Sequence, residues 1–128
     1  MTDRDPISAY KQSSLETAPP IKIIRLLYQS AIVRLEQAAR LDPAVDGGRW
    51  NEAISKADAI LAELRFALDH SASPELCGQL EALYLFCEDE LGRAFGSRDA
   101  STLQPVIGIL RNLLSAWEEV ETQVENAA

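Results

Sequence analysis

Histidine occurs once in these 128 residues, cysteine only twice, and lysine and arginine never run together. Each shortage removes a class of function. His70 is the one imidazole available to a Ser-His-Asp or Cys-His arrangement. It falls where a helix is expected to end, a surface position that the negative helix terminus favours for histidine. Cys77 and Cys87 stand ten apart in one expected helix, roughly 15 Å along its axis, which is beyond disulfide reach. They also lack the CxxC spacing of a zinc site, and we read both as small core hydrophobes. The Glu-x-x-His pairs of di-iron bundles are absent, as are the GxxxxGKS/T phosphate loop and the GxGxxG dinucleotide fingerprint.

Basic charge is scarce too. Twelve Lys and Arg against 20 Asp and Glu leave a net charge of -8, which argues against nucleic acid and against an anionic membrane as partners. No stretch reaches the roughly 18 apolar residues of a membrane span, and the first twenty residues mix charge, serine and proline where a signal peptide has an apolar run. The acids of "WEEVETQVE" read as a solvated face. The expectation is a cytoplasmic protein that is not an enzyme, holds no cofactor or metal, and does not insert into membranes.

What the chain does contain is helix. At 47% apolar and 25% charged it has the composition of one globular domain, with glycine and proline gathered into a few breaks between long uninterrupted stretches. Pro19 and Pro20 open a first helix, "LDPAVDGG" closes it, and Asp46 or Gly48 can cap the second. Ser73 as N-cap, with Pro74 and Glu75 in the first turn, opens the third. "GSRDAST" precedes the fourth, where a cap at Ser101 or Thr102, preferred over Asp99, keeps Pro105 in the tolerated first turn. Helices are expected over about 19–41, 49–70, 74–96 and 102–124, between a leader at 1–18 and a tail at 126–128.

Each helix carries one apolar stripe. The stripes run through Leu27, Tyr28, Ala31 and Leu35 in the first helix and Trp50, Ile54, Leu61, Leu64 and Leu68 in the second. In the third they comprise Leu76, Leu80, Leu83, Tyr84, Cys87, Leu91 and Phe95, and in the fourth Leu103, Ile107, Leu110, Trp117 and Val124. The predicted fold is all-α, an antiparallel up-down four-helix bundle with a flexible N-terminal leader. Gly92 and Gly96 form a small-xxx-small spacing that signals either close helix packing or fraying.

Several apolar residues fall off these stripes. Leu26 and Val33 project from the outer face of the first helix, Phe66 from the second among Glu52, Ser55 and Glu63, and the adjacent Leu85 and Phe86 from the third. Burying one such side chain is worth about 1.5–3 kcal/mol, so several left outside suit an apolar partner.

The run "AYKQSSLETAPPIKIIRLLYQSAIVRLEQA" closely resembles the start of the flagellar export chaperones that guard flagellin, the FliS family, with its Leu-Tyr-x-x-Ala-Ile element at Leu27, Tyr28, Ala31 and Ile32. The similarity continues through "ADAILAELRFALD" and "LEALYLFCEDEL" to the tryptophan of "LLSAWEEV". Pro19 stands where the family often has Ser, Gln29 and Ser30 where Asp-Gly is frequent, and Leu85 where Asp is usual. The resemblance implies a non-enzymatic bundle that binds the disordered C-terminal segment of flagellin in apolar grooves, prevents premature polymerisation and delivers it to the flagellar type III export apparatus. It also implies that Ile7 and Tyr10, in an otherwise polar leader, cover the groove or dock on an export gate component. The expected partner-binding residues are Ile7, Tyr10, Leu26, Tyr28, Ile32, Val33, Phe66, Leu85 and Phe86. A regulatory adaptor bundle using the same patches on another protein is the alternative.

Overall fold

The computed structural model describes residues 21–127. It contains α1 (Ile21–Ala39), α2 (Gly47–Phe66), α3 (Pro74–Ser97) and α4 (Leu103–Ala127), with a 3-10 turn at Ala100–Thr102 and no strand among the described residues. Ile7 and Tyr10 lie outside them.

The breaks follow from local hydrogen bonding. α1 ends in a tightened turn, Arg40 N–H to Gln37 C=O and Leu41 N–H to Ala38 C=O, after which Asp42 accepts from the Ala44 amide. α2 stops at Phe66, short of the expected end near His70, because the Asp69 carboxylate takes the Ser71 amide into a local turn that competes with further helix. Asp46 and Ser73 occupy the N-cap positions of α2 and α3, yet neither side chain makes a cap hydrogen bond. Their ψ angles, 43° and 79°, fall short of the extended backbone that aims a capping oxygen at the first turn. Asp99 caps the 3-10 turn through the Ser101 amide, and α4 then begins at Leu103, which leaves Pro105 in the first turn without a kink. Arg98 closes α3 in the left-handed region at φ 57°, a conformation that glycine adopts more readily.

Neighbouring helices run antiparallel. Arg25 near the start of α1 pairs with Glu121 near the end of α4 at 2.6 Å, and Glu36 further along α1 pairs with Arg111. The Trp50 indole N–H, at the start of α2, donates to Ala94 C=O at the end of α3 over 3.2 Å. α1 packs closely on both α2 and α4, and α2 on α3, whereas α3 and α4 meet sparingly. The four helices thus form an up-down bundle with one loose seam.

The core is apolar throughout, with no buried polar or charged residue among those described apart from its two tyrosines and Trp50. Leu27, Leu35, Ile54, Leu61, Leu91, Leu103 and Leu110 centre it, joined by Ile60, which lies just off the expected stripe of α2. The α3 stripe requires correction. Leu80, Tyr84, Cys87 and Leu91 are buried, but Leu76, Leu83 and Phe95 are substantially exposed, as is Val124 on α4. A helical stripe predicts a face, and only a close neighbour buries it; α3 lacks one on its α4 side at Leu76 and Leu83, while Phe95 lies on the α2 flank near the end of the helix. Gly92 and Gly96 face open space, so their spacing marks no close helix approach.

Candidate partner-binding surface

At 100° per residue, Leu76, Leu83 and Phe86 share the flank of α3 opposite Glu81 and Glu88. Glu88 pairs with Arg65 of α2 and Glu81 with His70 in the turn that follows α2, so the apolar flank faces α4. On α4, Arg111 and Glu121 face α1, and Ile109, Leu113, Val120 and Val124 lie on the flank turned to α3. Phe86 is 46% exposed, Leu76 50% and Val124 54%. The seam is therefore walled by apolar side chains on both sides. At one end it joins a cleft of about 240 Å³ walled by Ile24, Leu68, Leu76, Leu80, Tyr84 and Trp117.

Beneath this cleft the Tyr28 and Tyr84 hydroxyls hydrogen-bond to each other across the bundle, and the Trp117 indole N–H also serves Tyr28. Burial raises the Tyr28 phenol above its ordinary range, and these hydrogen bonds offset part of the rise. Cys87 lies in the same interior, its thiol pushed up by burial and by Glu88 to about 11 and so kept protonated. Cys77 donates weakly to Asp69 C=O at 3.3 Å. No group of metal-ligating side chains forms among the described residues, and of the titratable groups in the cleft lining the Asp69 carboxylate is held by Ser71, Cys77 by the Asp69 carbonyl and Tyr84 by Tyr28.

The sequence-predicted residues do not form one patch. Phe86 borders the seam. Phe66, 73% exposed, carries the Arg65 guanidinium 4.5 Å above its ring, and Arg65 in turn forks onto Glu88 at 2.7 and 3.1 Å. Leu85 lies on the α3 flank nearest α2, on this same side. Leu26 and Val33 line a separate groove along the outside of α1. Tyr28 and Ile32 require correction: both are buried, because α1 is covered from two sides, by α2 and by α4. Sequence reasoning assigned Leu76, Leu83 and Val124 to the core and passed over Val120. The available signal was an apolar arc on α3 wider than one buried stripe.

Asp58, half-buried on α2, has its carboxyl raised by desolvation and then by Glu88, against a lowering from Arg65. A raised carboxyl means the folded state holds this proton more tightly than the unfolded chain does. Asp58 therefore detracts from stability as pH rises through the carboxylate range, and the loss is complete at neutral pH. Asp58→Asn is expected to stabilise the fold slightly at pH 7, with the gain vanishing near pH 3; urea titrations at the two pH values measure it.

The exposed apolar side chains along α3 and α4 give this four-helix bundle the surface of a protein-binding bundle. The family described as flagellar protein FliS matches residues 3–124. The flagellar secretion chaperone FliS of Bacillus subtilis is 30% identical over 119 residues, covering 93% of this chain and 88% of its own. The FliS chaperone of Vibrio cholerae is 30% identical over 127 residues, covering 96% and 93%, and FliSB of Pseudomonas aeruginosa 34% over 115 residues, covering 87% and 91%. The chain belongs to the FliS family of flagellar secretion chaperones, which are not enzymes. No described helix is long and apolar enough to cross a membrane.

Proposed function

We propose that this protein is a cytoplasmic chaperone that binds the C-terminal segment of flagellin, keeps it from polymerising and passes it to the flagellar export apparatus. The observation that carries the reading is the apolar α3–α4 seam, where the two helices meet sparingly and Leu83, Phe86 and Val120 stay exposed beside the partly buried Leu113. A segment that is disordered alone gains helix by laying an apolar face into such a groove, which meanwhile hides the surface that would drive polymerisation. Ile7 and Tyr10 belong to this proposal as leader residues that cover the groove or dock on an export gate component. Removing residues 1–16 is then expected to tighten flagellin binding or leave it unchanged.

Isothermal titration with a peptide of about 40 residues from the C-terminus of the same organism's flagellin is expected to give one-to-one binding with a large negative heat-capacity change. Phe86→Asp should weaken it by about tenfold, as loss of a central apolar anchor does, and should barely alter the unfolding midpoint, because the side chain is half exposed. Phe66→Asp shows whether the α2 side also contributes. No heat from the folded protein at any temperature would turn the reading to an adaptor for another partner.

A further inference from the structure

Of the ten described lysines and arginines, Arg25, Lys56, Arg65, Arg93 and Arg111 are ion-paired, and Arg98 reaches the Pro43 carbonyl. Of the remaining four, Lys22, Arg34, Arg40 and Arg49, the three arginines line one cleft of about 520 Å³ between the last turns of α1 and the first turns of α2. This concentration is unexpected in a chain of net charge -8. Among the described residues the only acid in its lining is Glu52, which pairs with Lys56 at 3.0 Å and also feels the Arg34 charge. Asp42 and Asp46 lie in the adjoining turn but do not line the cleft.

Two features identify the occupant. Arginine forks match carboxylates in pairs, and three of them around one opening outnumber its single carboxylate, Glu52, and leave the site net positive. The cleft also does not stop at the charges. Through Arg34 and Gln37, which line both, it continues into the groove of about 370 Å³ along the outside of α1, where Leu26 and Val33 supply apolar walls. A small anion leaves that extension empty, and a nucleic acid is repelled by the rest of the surface. We propose that the α1–α2 cleft and the α1 groove form one elongated site for an acidic segment of a partner protein, with carboxylates on Arg34, Arg40 and Arg49 and apolar side chains against Leu26 and Val33. The site is separate from the α3–α4 seam, and the inference holds whatever protein that seam binds.

Fluorescence anisotropy on the full chain tests this with two labelled peptides of equal length and apolar content, one bearing Glu and Asp along one half, the other Gln and Asn there. The acidic peptide is expected to bind about three- to tenfold tighter, as two or three partly exposed charge pairs provide, and to lose this advantage as salt rises. Arg40→Glu with Arg49→Glu should abolish the preference, and the milder Arg40→Gln with Arg49→Gln should reduce it. Both side chains are exposed, so circular dichroism should show an unchanged fold. Val33→Ser should weaken both peptides equally. Equal affinity for the two peptides, no binding of the acidic one, or a preference that survives both arginine variants overturns the proposal. A single-stranded oligonucleotide of matching charge that binds as tightly overturns it in favour of a general anion site.

Discussion

Trp50→Ala is expected to lower the free energy of unfolding by about 3–5 kcal/mol, enough to remove a large part of the stability of a domain this size. Trp50 is fully buried where the start of α2 meets the end of α3, and it has the largest side chain in the core. Its indole N–H reaches Ala94 C=O, the same carbonyl that accepts the closing hydrogen bond from the Arg98 amide. Removing the ring leaves a cavity that rigid neighbouring helices fill only in part, and it releases the end of α3. Trp50→Phe separates the two contributions, since it keeps most of the apolar volume and loses the N–H, and should cost roughly 1–2 kcal/mol. Urea denaturation of the three proteins provides the comparison. A cost below about 1 kcal/mol for alanine would show that the α2–α3 end is not held by this side chain.

Tyr28→Phe should cost about 1–3 kcal/mol although it removes a single oxygen, because that oxygen is hydrogen-bonded to the Tyr84 hydroxyl in an apolar interior. Tyr84→Phe removes the other half of the same hydroxyl pair and should also destabilise the fold. The double variant should cost less than the two single ones added, by at least about 0.5 kcal/mol, as members of one network do. Strict additivity would mean that the two hydroxyls do not communicate. The pair matters beyond stability: Tyr84 and Trp117 stand on opposite walls of the cleft where the seam ends, and Tyr28 holds both from α1.

The helices and their order were legible because proline and glycine punctuate the chain so sharply, and because the stripes of α1 and α2 are each buried by close neighbours. What escaped had a common cause. Periodicity identifies the apolar face of a helix but says nothing of how near the next helix comes, so Leu76, Leu83 and Val124 read as core. Tyr28 and Ile32 read as surface partners because they sit in the element that carries the family resemblance, while in the bundle they stabilise the fold that presents other residues. Residue type and the neighbouring prolines and glycines pointed to Ser73, and to Asp46 or Gly48, as caps without showing that the backbone angles at Asp46 and Ser73 leave both side chains without a cap hydrogen bond. The arginine cleft was hidden because Arg34, Arg40 and Arg49 are spread through the sequence as single charges, and only the α1–α2 turn brings them together.

The loose seam bears on how the molecule moves. Swinging the far half of α4 away from α3 uncovers little surface that water does not already reach, so this opening costs much less than global unfolding. Separating α1 from α2 exposes buried core and has no such shortcut. The native state therefore has a preferred line of breathing, and hydrogen exchange along the α3–α4 side is expected to run ahead of the rest of the bundle.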